Sequence, residues 1–157
     1  MKYKIEIMKR NLLIVLVVIA FLLLALFGFK TFITSIYDQR DCKFANIDNI
    51  EVNVGIDIPS IERSICNYDQ TKNQKSVYFK LDKKVNIQEY CKSHSFKILH
   101  SADLYRYNNL DFVGNNRPFK DKSKNYYFKS ENRRSNSYNA ILNIETKELW
   151  ILISFND

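Results

Sequence analysis

Eighteen consecutive apolar residues, Leu12 to Phe29 (LLIVLVVIAFLLLALFGF), carry neither a charge nor a hydrogen-bonding side chain. As a helix rising about 1.5 Å per residue the run spans roughly 27 Å, close to the thickness of a bilayer's hydrocarbon core. A helix packed on a soluble core keeps a polar face toward water, and this run has none. Fifteen of its residues are Leu, Ile, Val or Phe. Each favours insertion by about 0.3–0.6 kcal/mol, or roughly 5–9 kcal/mol together. The run predicts a transmembrane helix. Phe29, Phe32, Ile33 and Ile36 continue an apolar stripe at helical spacing, and Tyr37 stands where an interfacial aromatic belongs, so the helix is expected to reach residue 37.

A cleaved signal peptide is the competing reading. It needs an apolar region of only about 7–15 residues and then small residues at an A-x-A-like site. Here the run is longer, and bulky residues flank Phe27, Gly28, Thr34 and Ser35. Nor do Gln39, Arg40 and Asp41 form a lipid-attachment pattern before Cys42. The chain reads as carrying an uncleaved anchor. Lys2, Lys4, Lys9 and Arg10 precede the run against a single Glu6, whereas mixed signs follow it at Asp38, Arg40, Asp41 and Lys43. Positive flanks stay in the cytoplasm. The expected layout is a cytoplasmic basic segment (1–10), an anchor helix with its extension (11–37), a linker (38–48) and an exported domain (49–157). Abundant Lys, Asn and Ile beside scarce Ala and Gly point to an AT-rich bacterial genome, hence to a cytoplasmic membrane with the domain in the periplasm. The seventeen asparagines include no N-x-Ser/Thr sequon, which points away from a glycosylated ectodomain.

The formal charge of +7 follows the same division, because residues 1–30 contribute five Lys or Arg against one Glu. More than half of the basicity is a topology signal, and with an exported domain it excludes nucleic acid as the expected partner. All three cysteines, Cys42, Cys66 and Cys91, fall beyond the span. In an oxidising compartment two pair and one is left over; the sequence leaves all three pairings open. Cys91 and His94 sit at helical i, i+3 spacing, yet His100 is the only other histidine, so neither a metal site nor any cofactor is expected.

Ile50, Val52, Val54, Ile56 and Ile58 alternate with Glu51, Asn53, Gly55 and Asp57, which predicts a strand ended by Pro59, with a helical turn from Ser60 to Ile65. A loop at 67–75 leads to a strand at 76–81. Asn86 and Glu89 have the spacing of a capping box and open a helix over 86–94; Phe96, Ile98 and Leu99 give a short strand. Residues 100–124 resist assignment. Tyr126–Lys129, Tyr138–Ile144 and Leu149–Phe155 predict three antiparallel strands, the last two joined through Glu145–Glu148. The fold class is α+β: an N-terminal transmembrane helix, then a small domain with a mostly antiparallel sheet covered on one side by one or two short helices.

No phosphate-cradling loop, G-x-S-x-G elbow or H-E-x-x-H occurs, and the exported part has only Gly55 and Gly114. Cys91 with His94 or His100 can be drawn as nucleophile and base, but a disulfide or core cysteine beside surface histidines is the simpler account, and no enzyme is expected. One charge cluster stands out. Residues 117–134 (RPFKDKSKNYYFKSENRR) hold Arg117, Lys120, Lys122, Lys124, Lys129, Arg133 and Arg134 against Asp121 and Glu131. Phe119, Tyr126, Tyr127 and Phe128 are interleaved with them. This pattern suits an anionic partner, an acidic protein or lipid headgroups; alternatively the lysines guard a sheet edge.

The ending YNAILNIETKELWILISFND resembles the closing hairpin of small exported bacterial proteins, with Lys147 where that turn often has Gly. The layout of one span and one compact domain is similar to that of immunity proteins, which guard the cell envelope against toxins from neighbours. That resemblance implies a membrane-anchored inhibitor of a toxin, which the basic segment would meet through an acidic surface, and it assigns no residue roles. The alternative is a non-enzymatic structural subunit of an envelope assembly, in which the span itself makes the specific contacts.

Overall fold

The computed structural model describes residues 2–42, 46–100, 107, 110, 112, 113, 118 and 125–156, with residues 2–10 and 37 described as backbone only. It divides into two compact units, Met1–Asp38 and Gln39–Asp157.

The first unit is one α-helix, α1 (Lys2–Asp38). Its segment Asn11–Ile36 is long and apolar enough to cross a membrane, and none of the apolar stretch is buried. Large side chains from Leu12 to Phe29 stay 48–72 % exposed. Apolar surface left in water costs about 25 cal/mol per Å², so this helix calls for a hydrocarbon surrounding. Thr31 Oγ1 donates to the Phe27 carbonyl at 2.9 Å and Thr34 Oγ1 to the Lys30 carbonyl at 3.0 Å. Both hydroxyls are thus satisfied within the helix.

The second unit is α+β. Among the described residues two short helices, α2 (Asn46–Val54) and α3 (Ile87–Ser93), accompany six strands. These are β1 (Ile61–Asp69), β2 (Gln74–Leu81), β3 (Lys97–Leu99), β4 (Tyr126–Arg133), β5 (Asn136–Asn143) and β6 (Glu148–Ser154). They form one sheet in the order β1-β2-β6-β5-β4-β3, with every neighbouring pair antiparallel. The expected meander is β4, β5 and β6, after which β6 also pairs along β2. The β5–β6 turn is built by Asn143, whose Oδ1 accepts the Glu145 and Thr146 N–H groups at 3.0 Å each. Lys147 there is left-handed at φ +53°, a conformation that glycine adopts without strain. Its Nζ reaches the carbonyls of Val85 at 2.9 Å and Lys83 at 2.5 Å.

Two expectations are corrected. The alternating stretch 50–58 is not a strand: it begins inside α2 and continues as extended chain. Asn49, Ile50, Asn53 and Val54 are the buried residues of α2, an i, i+1, i+4, i+5 face that satisfies the helical period better than the alternation does. The turn expected from Ser60 to Ile65 is instead the start of β1. This edge strand carries Glu62 and Arg63 on its exposed side and has a register irregularity between Ile61 and Arg63; charges and bulges are what edges use against unwanted pairing. The helix at 86–94 is present as α3, with Asn86 Oδ1 accepting the Glu89 N–H at 3.3 Å.

The sheet carries apolar clusters on both faces and not on one. On the helical face Val77, Phe79, Ala140, Leu142, Leu149 and Ile151 meet Ile50 and Val54 of α2 and Ile87, Tyr90 and Cys91 of α3. On the other face Tyr78, Ile141, Trp150 and Leu152 meet Leu99 and Phe112. Consecutive apolar residues in β2, β5 and β6 require this, since successive side chains point to opposite faces.

Cys42 pairs with Cys66, Cα–Cα 5.7 Å, and Cys91 stays free and buried. The bridge spans a sequence separation of 24 residues that includes α2; loop-closure entropy gives such a bridge roughly 3–4 kcal/mol. α2 ends at Gly55, whose N–H bonds the Glu51 carbonyl at 2.7 Å. Gly55 is left-handed (φ +64°), and a Cβ placed on it would lie 1.3 Å from Arg133 Nη1. The exposed Arg133 side chain can swing aside, so what Gly55→Ala meets is the backbone strain of a left-handed residue, and it is expected to lower the unfolding free energy by about 1 kcal/mol in urea denaturation. Because the strain is in the backbone, the loss should be about the same in an Arg133→Ala background.

Candidate functional site

Cys91 and His94 do not form a nucleophile–base pair. Cys91 faces the core at 4 % exposure, and burial pushes its thiol up to about 11, so it is protonated at neutral pH. His94 serves another purpose. Its Nε2 accepts the Asp57 N–H at 3.2 Å, while Nδ1 lies 3.0 Å from Ser93 Oγ and 3.1 Å from the Tyr90 carbonyl. Its ring stacks on Tyr90 at 4.6 Å. With Nε2 accepting, Nδ1 carries the proton and donates to Tyr90, and the imidazole ties α3 to the chain behind α2. Among the described residues no group of three or more His, Cys, Asp or Glu could hold a metal ion.

The basic segment divides. Arg117, Lys120, Lys122 and Lys124 lie outside the described residues, whereas Lys129, Arg133 and Arg134 belong to the β4–β5 hairpin. Lys129 is 12 % exposed, with Nζ 3.6 Å from Glu131 Oε2, an oxygen that also accepts the Tyr138 hydroxyl at 3.0 Å. Burial first and this bond second raise the Tyr138 pKa. Arg133 lies over Gly55, and Arg134 is exposed at the turn with φ +55°. The interleaved aromatics part company: Tyr126 and Phe128 fill the non-helical face, while Tyr127 points to the helical one.

Tyr127 leads to a feature that sequence reasoning missed. A cleft of about 450 Å³ opens between α3, β3 and β4, lined by Gln88, Cys91, Lys92, Phe96, Ile98, Tyr127 and Ile144. Its walls are mostly apolar, and Ile98 on edge strand β3 is 57 % exposed. Alternate residues of a strand share a face, so β4 carries Tyr127, Lys129, Glu131 and Arg133 in one row. The row runs roughly 20 Å from the cleft to the hairpin turn. An apolar cleft thus continues into a charged strand surface. The motif K-I-L at 97–99 held the only hint, an isoleucine in an edge strand with no polar alternative on its face.

A second polar centre lies beneath α2. Lys75, Asn49, Asn53 and Asn136 are all buried. Lys75 Nζ donates to Asn49 Oδ1 at 2.7 Å, Asn53 Nδ2 to the Asn49 carbonyl at 2.8 Å, and Asn136 Nδ2 to Asn53 Oδ1 at 2.6 Å. These bonds tie α2 to β2 and β5.

Comparison of the chain with protein-family models, curated proteins and solved structures returns no match. The raised Cys91 thiol has a measurable consequence. Only the thiolate alkylates, so iodoacetamide labelling of the native protein should be negligible at pH 7.5 and should rise about tenfold per pH unit toward 11. Unfolding in urea should abolish the protection.

Proposed function

We propose that this chain is a single-pass, membrane-anchored binding protein of a bacterial envelope, with its disulfide-bonded unit in the periplasm, and that it acts as an immunity-type inhibitor of an envelope-acting toxin. The observation that supports the location is the Cys42–Cys66 bridge closely following α1 in sequence; the inhibitor role rests on the layout and the charged, apolar surface. Such bridges persist in oxidising compartments, and the basic residues ahead of the apolar run favour a cytoplasmic amino terminus. Protease added to spheroplasts should digest the Gln39–Asp157 unit; a protected unit would refute the topology.

Binding, not catalysis, is what the described surface is suited to. The cleft offers an apolar socket for an anchoring side chain, and Lys92 at its wall with Arg133 and Arg134 at the hairpin supplies positive charge for an acidic partner. In the sequence, the segment from Arg117 to Lys124 carries four further cations. Tethering confines the encounter to the membrane surface and raises effective concentration. Replacing Arg117, Lys120, Lys122 and Lys124 with Glu, or Ile98 with Glu, should weaken capture of the partner tenfold or more, about 1.4 kcal/mol, with thermal stability unchanged. Exchanging Leu12–Phe29 for an unrelated span separates this function from that of a structural subunit: an inhibitor keeps its activity, a subunit held by its span loses it.

A further inference from the structure

Lys75 sits at a core position. It is the first of the alternate residues Lys75, Val77, Phe79 and Leu81 that β2 turns toward α2 and α3, and its cross-strand neighbours are Tyr68 and Ile153. Its exposure is 0 %, as is that of Asn49. A lysine so placed is costly while charged, and charge removal is the ordinary response. The partner of its nitrogen is a carboxamide. With Nζ 2.7 Å from Asn49 Oδ1 and a carbonyl bond of about 1.2 Å, the carbonyl carbon is within about 4 Å of the amine. The pair is held from both sides. Asn136 of β5 holds α2 by donating a hydrogen bond to Asn53, whose own amide donates to the Asn49 carbonyl within the helix, and the Cys42–Cys66 bridge fixes the chain ahead of α2 to β1, with Cys66 paired to Val77 on β2.

We propose that Lys75 and Asn49 are the site of an intramolecular isopeptide bond between β2 and α2. Lys75 Nζ adds to Asn49 Cγ, the adduct expels Nδ2 as ammonia, and the amide Nζ–Cγ replaces the bond Cγ–Nδ2. The proton that Nζ gives up is the one that Nδ2 needs to depart, so no oxidant or further reagent is consumed. Burial supplies the nucleophile: it pushes the Lys75 ammonium down to about 8, against the opposing charge of Asp41, so about a tenth is neutral amine at pH 7. Proximity favours the step, since groups that reach about 3–3.5 Å in the right orientation react with effective molarities of about 10⁵ M or more, and burial of both partners keeps the amine beside the carboxamide. The product is a neutral amide where a buried charge stood, and a second closure that thiol reductants cannot open.

The full chain, purified from membranes in detergent, reduced and denatured, should weigh about 17 Da less than its sequence requires, the mass of one ammonia. Trypsin should release segments 44–63 and 73–80 as a single branched peptide, uncut at Lys75. Asn49→Ala and Lys75→Met should each restore the full mass. A wild-type chain at full sequence mass overturns the proposal. So does a 17 Da loss in which 44–63 and 73–75 separate, since that loss would lie within one asparagine, and so does a loss that survives either substitution.

Discussion

β6 pairs along its length with β2 on one side and β5 on the other, and the remainder of the domain is assembled around that double ladder. Residues Leu149 to Ile153 are apolar without interruption, so each ladder bond is flanked by buried side chains on both faces of the sheet. Neither the β1–β2 hairpin nor the β4–β5 hairpin could bury both its faces alone, and two-stranded ribbons are marginal in water. Through β6 they become one sheet, and only then is there a floor on which α2 and α3 can dock.

What was legible in the sequence tracks how local the deciding physics is. The span needed only hydropathy, α3 only the Asn86–Glu89 cap, and β4 to β6 only branched and aromatic runs broken by turn residues. α2 was misread because its buried face contains Asn49 and Asn53. Their burial makes sense only beside Lys75 and Asn136, residues 26 and 83 positions away along the pairs they form. β1 looked like a turn because an edge strand is polar by design against aggregation. The Cys42–Cys66 pairing and the cleft beside Ile98 depend on which distant segments the sheet brings together, and no local pattern encodes that.

The binding surface proposed for this protein inherits the same architecture. Its apolar part is framed by α3, a three-residue edge strand and a tyrosine on β4, and its charged part by a hairpin whose arginine rests on the glycine that ends α2. The row from Tyr127 to Arg133 starts between Tyr126 and Phe128, which pack on the opposite face, so the strand that supports the core also fixes the spacing of the charges. In that arrangement a contact at the hairpin turn bears directly on the end of α2. Stabilising the helix and presenting the surface are therefore mechanically one task.

The position of β6 also has a bearing on biogenesis. It follows every other strand in sequence yet occupies the middle of the sheet. In a chain synthesised from its amino end the two hairpins stay unjoined until residues 148–154 are made. The floor on which α2 and α3 dock is therefore completed by the last strand of the sheet to be made, and burial of both helices waits on it.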